Sequence, residues 1–475
     1  CEGNRLFRDT QFCEQRYPVY GDSSQVDYLT PSIDHVYFRF QRDSRIPGAE
    51  PDYFMWGDYN TQEFARASQD FTAITRQLHG FKGNYTFGNV QLTAMYANNL
   101  RPFQRDTLAP DGTSGYYFLS RRVILPGSED IFIEVEELNR PGTALERRRL
   151  FRGADYEIDY DRGTLLFREP IYATQLEGTG PTLVNRIVAT YQVDGVGVGG
   201  NLYAVRFQYN IEPGEEAAGW AGFTGLWEEQ GIQTFQLAGL DVLLPLGETG
   251  QLSAEIARSS LELSGQTTSG SAYRLEADGT LIDQILDGSF YFRSASSGFN
   301  NTATTSFRPG QTRWGGSLDA SLSEQTQLTF RFDQEINVGT APQVFAGNTL
   351  QELQASGNLE SVLIPGQYAT PGSAVDNTLT TLRLGVRQQV GRANVGLDFI
   401  NRERDDRIAG TNTSAQQFVP SIGIPLGANL DFNAQSELNF GSESDPLYPT
   451  RTTLSLDWRV DPNLTVQLAQ QFASG

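Results

Sequence analysis

The feature that most constrains this chain is a period-2 alternation of apolar and polar residues, which recurs throughout its C-terminal third. In the stretch 454–460, apolar residues at even positions alternate with polar residues at odd positions, and the pattern resumes after a tight turn at 461–463. Similar pairs of stretches flank short turns at 324–326 and 391–392. Period-2 alternation predicts β-strands with one apolar face and one polar face.

Alternation alone leaves two architectures open. In a sandwich the apolar faces pack against each other, whereas in an outer-membrane barrel they meet lipid and the polar faces line a wet lumen. Many of the stretches have about ten residues, the span of a tilted transmembrane strand. The short turns also alternate with longer polar segments at 337–377, 402–414 and 441–450, which is typical of a membrane barrel.

Aromatic residues near the strand ends suit the interfacial girdle of a barrel, with core packing as the alternative: Trp220, Trp227, Trp314, Trp458, Tyr209 and Phe440. We therefore predict an all-β protein, an antiparallel transmembrane β-barrel of about 16–20 strands with an inserted small β-sandwich.

Changes in periodicity, strand length and charge density divide the chain into four parts. Residues 1–33 lack periodicity and form an N-terminal lead-in. Residues 34–114 carry the first barrel strands, with strand-like alternation from Val36 and again from Phe71 to Leu78. In residues 115–200 the strands become short and dense in charge, which predicts an inserted β-sandwich closed by a glycine-rich linker. Residues 201–475 carry the remaining barrel strands.

The net charge and the first residues of the chain limit which partners and which kind of chain we expect. A net charge of −21 argues against nucleic-acid binding. Lys82 is the sole lysine, so arginine carries almost all positive charge; this reflects genome composition or arginines placed in a lumen to select anions. The chain does not begin with Met and shows no signal peptide, so we expect a processed or partial chain. Whether Cys1 and Cys13 pair is left open.

The polar faces of the C-terminal strands carry ionisable side chains. In a barrel these residues would line a water-filled lumen and decide what passes through it. The candidate lumen-lining residues are Asp319, Arg331, Asp333, Arg383, Arg387, Asp398, Asp431, Glu437, Asp457 and Arg459.

The chain shows little that indicates catalysis or a cofactor. The only histidines are His35 and His79, and neither has a marked nucleophile beside it in sequence. No Cys/His cluster has metal-ligand spacing, and there is no glycine-rich phosphate loop. Asp155, Asp159 and Asp161 could offer oxygens to calcium, but they lack the regular loop spacing, and a solvated acidic turn is favoured. We expect no enzyme activity, no metal and no cofactor.

Two short motifs carry a resemblance to known proteins. The segment 53–59 (YFMWGDY), followed by Gly80 within 78–81 (LHGF), resembles a strand pair of large outer-membrane barrels. The segment 153–165 resembles the small β modules that such proteins carry. The place of the insert after the first strands resembles fimbrial ushers, although the terminal cysteine pair of ushers is missing. It also argues against TonB-dependent receptors, whose plug precedes the barrel, unless missing N-terminal residues supply one.

These observations lead to a functional expectation. We expect a channel or transport protein of a Gram-negative outer membrane, passing or gating a solute or polymer through a charged lumen, with the insert as a plug or accessory domain. Its partners would be outer-membrane lipid, the barrel-assembly machinery, and a solute or secreted polymer. The alternatives are a barrel-anchored surface or adhesion protein, an usher-like secretion pore, and a secreted soluble β-protein.

Overall fold

A computed structural model describes residues 38–474 apart from 44–50, 99–102, 138–139, 177–181, 194–199, 212–218, 231–232, 248, 264, 302–308, 341–373, 428, 441–449 and 462–463. The lead-in at 1–33, Cys1 and Cys13, and most of the segments 337–377 and 441–450 lie outside the described residues. Within the described part, no helix has the length and apolarity to cross a membrane.

Four strands open the main sheet: β1 (Phe38–Arg42), β2 (Asp52–Asn60), β3 (Gln77–Phe87) and β4 (Val90–Asn98). Each pairs in antiparallel fashion with the next in the chain. The stretch from Phe71 was predicted to continue a strand, and this is wrong for residues 71–76. They belong to the connection between β2 and β3, because their apolar side chains are buried against the sheet instead of alternating across it.

Eight strands of 2 to 11 residues follow: β5 (Phe103–Leu108), β6 (Tyr117–Phe118), β7 (Asp130–Glu137), β8 (Arg140–Leu150), β9 (Tyr156–Asp159), β10 (Thr164–Phe167), β11 (Thr174–Leu176) and β12 (Thr182–Gln192). They form one three-stranded and one five-stranded sheet, whose strands pair only with one another. Residues of both sheets share a buried core that includes Ile131, Leu165, Phe167 and Ile187. We call residues 103–192 the insert; β5 lies in the range assigned above to the first barrel strands.

The main sheet then continues through β13 (Asn201–Asn210), β14 (Trp220–Gln230), β15 (Gln233–Leu246), β16 (Gly250–Leu263), β17 (Gln266–Ile282), β18 (Leu286–Ala295), β19 (Gln311–Ser323), β20 (Thr326–Thr340), β21 (Ala374–Val390), β22 (Ala393–Asp406), β23 (Thr411–Pro425), β24 (Leu430–Asn439), β25 (Thr450–Asp461) and β26 (Leu464–Ser474). β4 pairs with β13 across the insert, so that 18 strands of the described residues form one antiparallel meander with β1 and β26 as its end strands.

The two faces of this sheet are inverted relative to a soluble protein. On β13, Phe207 and Tyr209 are 47% and 53% exposed, whereas Arg206 and Gln208, at the alternating positions, are 1% and 6% exposed. Leu384 and Val386 on β21 repeat the pattern, with apolar side chains on the exposed face. An exposed apolar face and a polar inner face are the arrangement of a transmembrane barrel. In the described strands the apolar rows are exposed and do not pack sheet against sheet, and the predicted fold class is confirmed.

The ends of the strands differ in what they connect. Because all pairings are antiparallel, successive connections alternate between the two ends of the sheet. The strand ends that flank 61–76, the insert, 296–310 and 341–373 all lie at one end, and the tight turns 324–325 and 391–392 lie at the other. We call the first the loop end.

The structure corrects one of the predicted long loops. Residues 402–414 were expected to be a long connection, but Arg402 pairs with Ala415 and Asp406 pairs with Thr411, which leaves 407–410 as the turn. The charges of 402–406 suggested a loop; strand pairing uses the backbone, however, and tolerates polar side chains wherever a strand extends beyond the apolar band.

Candidate functional site

The connection between β2 and β3, residues 61–76, folds back onto the polar inner face of the sheet. We call it the inward loop. Its apolar side chains Phe64, Phe71 and Ile74 are at most 1% exposed. They belong to a core cluster with inner-face residues of strands from β2 to β18, and Phe71 makes an edge-to-face contact with Phe299 at 5.6 Å. Burial of these side chains fixes the loop inside the curve of the sheet.

The two ends of the inward loop are joined at its base. The Thr61 hydroxyl donates to the carbonyl of Ile74, and its oxygen accepts a hydrogen bond from the Arg76 backbone N–H at 2.9 Å. Lys82, the sole lysine, places its Nζ 2.5 Å from Glu63 Oε2 and donates to the Asn60 carbonyl at 2.8 Å. The loop therefore leaves and re-enters the sheet at one fixed point.

Glu255, on the inner face of β16, holds the tip of the inward loop. Its carboxylate accepts hydrogen bonds from the backbone N–H groups of Asp70, Phe71 and Thr72 at 2.7, 2.9 and 2.8 Å. The Thr72 hydroxyl adds a fourth at 2.6 Å. Glu255 is 4% exposed, so this carboxylate supplies the acceptor that these buried donors require.

A buried ion pair lies beside this contact. Arg206 on β13 donates from both terminal nitrogens to Asp241 on β15, at 2.7 and 2.9 Å. Ser68 of the inward loop donates to the same carboxylate at 2.5 Å. Gly222 lies on β14 between them, and a Cβ there would stand 2.5 Å from the Arg206 guanidinium and 2.7 Å from the Asp241 carboxylate. A glycine at this position leaves room for the pair.

Further contacts attach the loop to neighbouring strands. Arg76 pairs with Glu228 on β14 at 2.9 Å, and Asp70 lies 3.4 Å from Arg274 on β17. Asn301 donates from its amide nitrogen to the loop carbonyls of Phe71 and Ala73 at 2.8 and 3.1 Å. The inward loop thus touches the inner face from β13 to β17, which requires the sheet to curve around it.

Every candidate lumen-lining residue lies on the inner face, opposite the exposed apolar rows. The structure brings several into pairs: Arg383 and Arg387 with Asp398 at 2.7 and 3.3 Å, Asp333 with Arg313 at 3.5 Å, Glu437 with Arg451 at 2.7 Å, and Arg459 with Asp431 at 3.5 Å. Arg331 stands directly across from Arg383, Asp457 across from Asp431, and Asp319 across from Asp287. Their contact with a lumen stays a prediction.

The residues that hold the inward loop were not among the candidates. Arg206, Asp241, Glu255 and Arg274 occupy polar positions of alternating strands, and the same rule that selected the C-terminal charges would have selected them. The apolar residues of the inward loop are a further signal in the sequence. Apolar side chains in a connection between two strands predict that the connection is buried against another part of the protein.

The acidic positions of the insert stabilise their own turn. Asp159 accepts from the backbone N–H groups of Asp161 and Arg162 at 3.0 and 3.1 Å. Asp155 accepts from the Phe151 N–H at 2.7 Å. In the described part of the chain, no three His, Cys, Asp or Glu side chains cluster as metal ligands. These contacts favour the structural role of the turn.

His79 pairs with an acid on the opposite face of the sheet. Its Nδ1 lies 2.7 Å from Asp58 Oδ1, and its ring packs edge-on against Trp56 at 5.1 Å. By alternation both residues share the apolar outer face with Phe54 and Phe81. The pair therefore lies on the face of the sheet opposite the inward loop.

Comparison with known proteins gives likeness only at the level of structure. No family model matches the chain, and no curated protein matches it. The chain is similar to the siderophore receptor PirA from Pseudomonas aeruginosa (11% identity, TM-score 0.34, covering 92% of this chain and 71% of that one). It is also similar to the FrpB iron transporter from Neisseria meningitidis (11% identity, TM-score 0.34, 77% and 68%).

A third solved structure is the ferric enterobactin receptor PfeA from Pseudomonas aeruginosa, a double mutant (9% identity, TM-score 0.33, 92% of this chain and 67% of that one). These receptors belong to the class that the position of the insert argued against. TM-scores below 0.5 at such low identity neither establish that class for this chain nor assign it a ligand.

Proposed function

We propose that this chain is an outer-membrane transport protein, a β-barrel whose inner face guides a solute past a constriction formed by the inward loop. The observation that carries the proposal is the seating of residues 61–76 on the polar inner face, inside a sheet whose outer face is apolar. A segment held there narrows whatever passage the barrel encloses. The chain acts by binding and passage, without catalysis.

The fixed contacts define how access is controlled. Glu255 and Asp241 hold the loop by charge-assisted hydrogen bonds in a buried setting, where such bonds are strong. A loop anchored in this way forms a permanent narrowing unless a ligand or a partner competes for its contacts. The insert, with its own core, is a second candidate for control of access, as the sequence suggested.

The test compares excision of the two segments in planar-bilayer conductance measurements. The Thr61–Arg76 contact brings the ends of the inward loop together, so residues 63–74 can be replaced by a short Gly-Ser linker. Phe103 pairs with Gln192, so residues 104–191 of the insert can be removed in the same way. We expect loop excision to raise the single-channel conductance several-fold. A rise only on insert excision would make the insert the plug.

The second candidate function is a barrel that anchors a surface domain. The observation in its favour is that the insert lies at the loop end, together with the strand ends that flank 341–373. This function predicts electrical silence in the wild type and in both excised variants. An usher-like secretion pore is less favoured, because the inward loop occupies the space along β13–β17 that a folded protein would need.

A further inference from the structure

Two arginines of β21 share one carboxylate on the inner face. Arg383 places a terminal nitrogen 2.7 Å from Asp398 Oδ2, and Arg387 approaches the same oxygen at 3.3 Å. Arg331 of β20 stands directly opposite Arg383, and Arg331 and Arg383 are both electrostatic neighbours of Arg387. Two guanidinium groups therefore share a single acid, and a third arginine stands across from one of them on the neighbouring strand.

A glycine shapes this arrangement. A Cβ at position 385 would stand 2.2 Å from the Asp398 carboxylate and 3.1 Å from the Arg387 guanidinium. Gly385 lies between Arg383 and Arg387 on β21 and directly across from Asp398 on β22. The absent side chain lets the carboxylate lie over β21 and reach both arginines, which fixes the direction of their planar groups.

The positive charge extends to the next strand. Arg402, on the inner face of β22, lies directly across from Thr381 and donates to the side-chain carbonyl of Gln417. The next inner-face carboxylate along β20, Asp333, pairs with Arg313 on the other side. One group on three adjacent strands thus contains Arg331, Arg383, Arg387 and the buried Arg402, and Asp398 pairs with two of its members. We call it the arginine cluster.

We propose that the arginine cluster is a binding subsite for a solute that carries two or more carboxylate or phosphate groups. This inference rests on the proposed function and names the class of solute. Guanidinium groups bind such oxyanions through paired hydrogen bonds, and the partly enclosed inner face strengthens them. Arg383 and Arg387 remain 12% and 22% exposed, so a solute can reach them.

The experiment is calorimetric titration of the detergent-solubilised full chain with pyrophosphate and, separately, with citrate. The test variant is Arg383→Gln with Arg387→Gln. The matched control is Arg407→Gln with Arg168→Gln, which removes the same charge from two arginines outside the cluster that pair with Asp376 and Glu157. We expect the test variant to lose about tenfold or more in affinity and the control to stay within about twofold.

A second variant guards against loss of binding through misfolding. Asp398→Asn removes the internal competitor and leaves the arginines, so it should bind pyrophosphate more tightly than the wild type. No binding of either probe to the wild type, or equal loss in test and control variants, overturns the proposal. Binding without conductance would refute the proposed function alone, and conductance without binding would refute this inference alone.

Discussion

The inner face of the sheet differs between its two halves. Along β13–β18 the charged side chains are engaged with the inward loop: Glu255 binds its backbone, Asp241 binds Ser68 and Glu228 binds Arg76. Along β20–β25 the charged side chains pair with one another, as in Glu437 with Arg451, or gather around Asp398. The first half is covered by a segment of the chain itself, whereas in the second the charged side chains of neighbouring strands pair with one another and Arg383 and Arg387 stay partly exposed.

The difference shows that the same strand design serves two purposes. Both halves expose apolar rows outward and place polar residues inward, with arginine–aspartate pairs beside a glycine in each, at Gly222 and Gly385. Within the residues that the structure describes, what separates them is whether another segment covers the inner face. A covered charge must be matched in full, because an unmatched buried charge is costly, while an open one can remain in excess.

The largest effect is expected from Glu255→Ala. It removes the acceptor of three backbone N–H groups and one hydroxyl of the inward loop, which should destabilise the seated loop by about 4 kcal/mol, since each orphaned buried donor costs about 1–3 kcal/mol. Limited trypsin digestion measures this as new cleavage after Arg66 and Arg76.

The control for this change is Glu262→Ala, which alters an exposed glutamate of the same strand. It should leave the trypsin pattern of the wild type unchanged. A protected loop in the Glu255 variant would contradict the assignment of β13–β18 as a wall covered by the loop.

Asp241→Asn comes next. It leaves Arg206, 1% exposed, beside a neutral amide, and loss of one partner of a buried pair costs about 3 kcal/mol or more. Urea unfolding followed by Trp220 fluorescence reports the change, because the Trp220 indole donates to Ser68 at 2.8 Å beside this site. An unchanged midpoint would mean that the pair is not closed off from water.

Substitution of Gly222 and of Gly385 by alanine allows a direct comparison of the two halves of the sheet. An added methyl group at Gly222 would meet both partners of a fully buried pair. At Gly385 it would stand closer to the carboxylate, at 2.2 Å, but the arginines that this carboxylate pairs with are 12% and 22% exposed and can move toward solvent. We expect Gly222→Ala to cost about 2 kcal/mol and Gly385→Ala about 1 kcal/mol, as overpacking commonly costs about 1–3 kcal/mol. Equal losses in parallel urea titrations would remove the distinction between a covered and an open wall.

The smallest effect is expected from Arg459→Gln. Its partner lies 3.5 Å away, and the two side chains are 66% and 42% exposed, so solvent screens the pair. The free energy of unfolding should change by less than about 0.5 kcal/mol. A loss above about 1 kcal/mol in the same urea titration would show that this part of the wall is covered as well.

Much of the architecture followed from local patterns. Alternation around the turns at 324–325 and 391–392 located β19–β22, and the change of texture near residue 115 indicated a separate insert. The same alternation placed every candidate charge on the inner face. Alternation gave the wrong prediction at two places. Residues 402–406 are charged and were predicted as a loop but form a strand, and residues 71–76 include apolar side chains and were predicted as a strand but form a loop.

The sequence by itself determined which side chains lie on each face, because a strand turns successive residues to opposite sides whatever its neighbours are. Only the tertiary structure decided which polar residues face one another. Glu255 meets residues 70–72 across more than 180 positions of the chain, and no local pattern encodes such a contact. The curvature that brings them together arises from the pairing of the whole sheet, and it separates a covered wall from an open one.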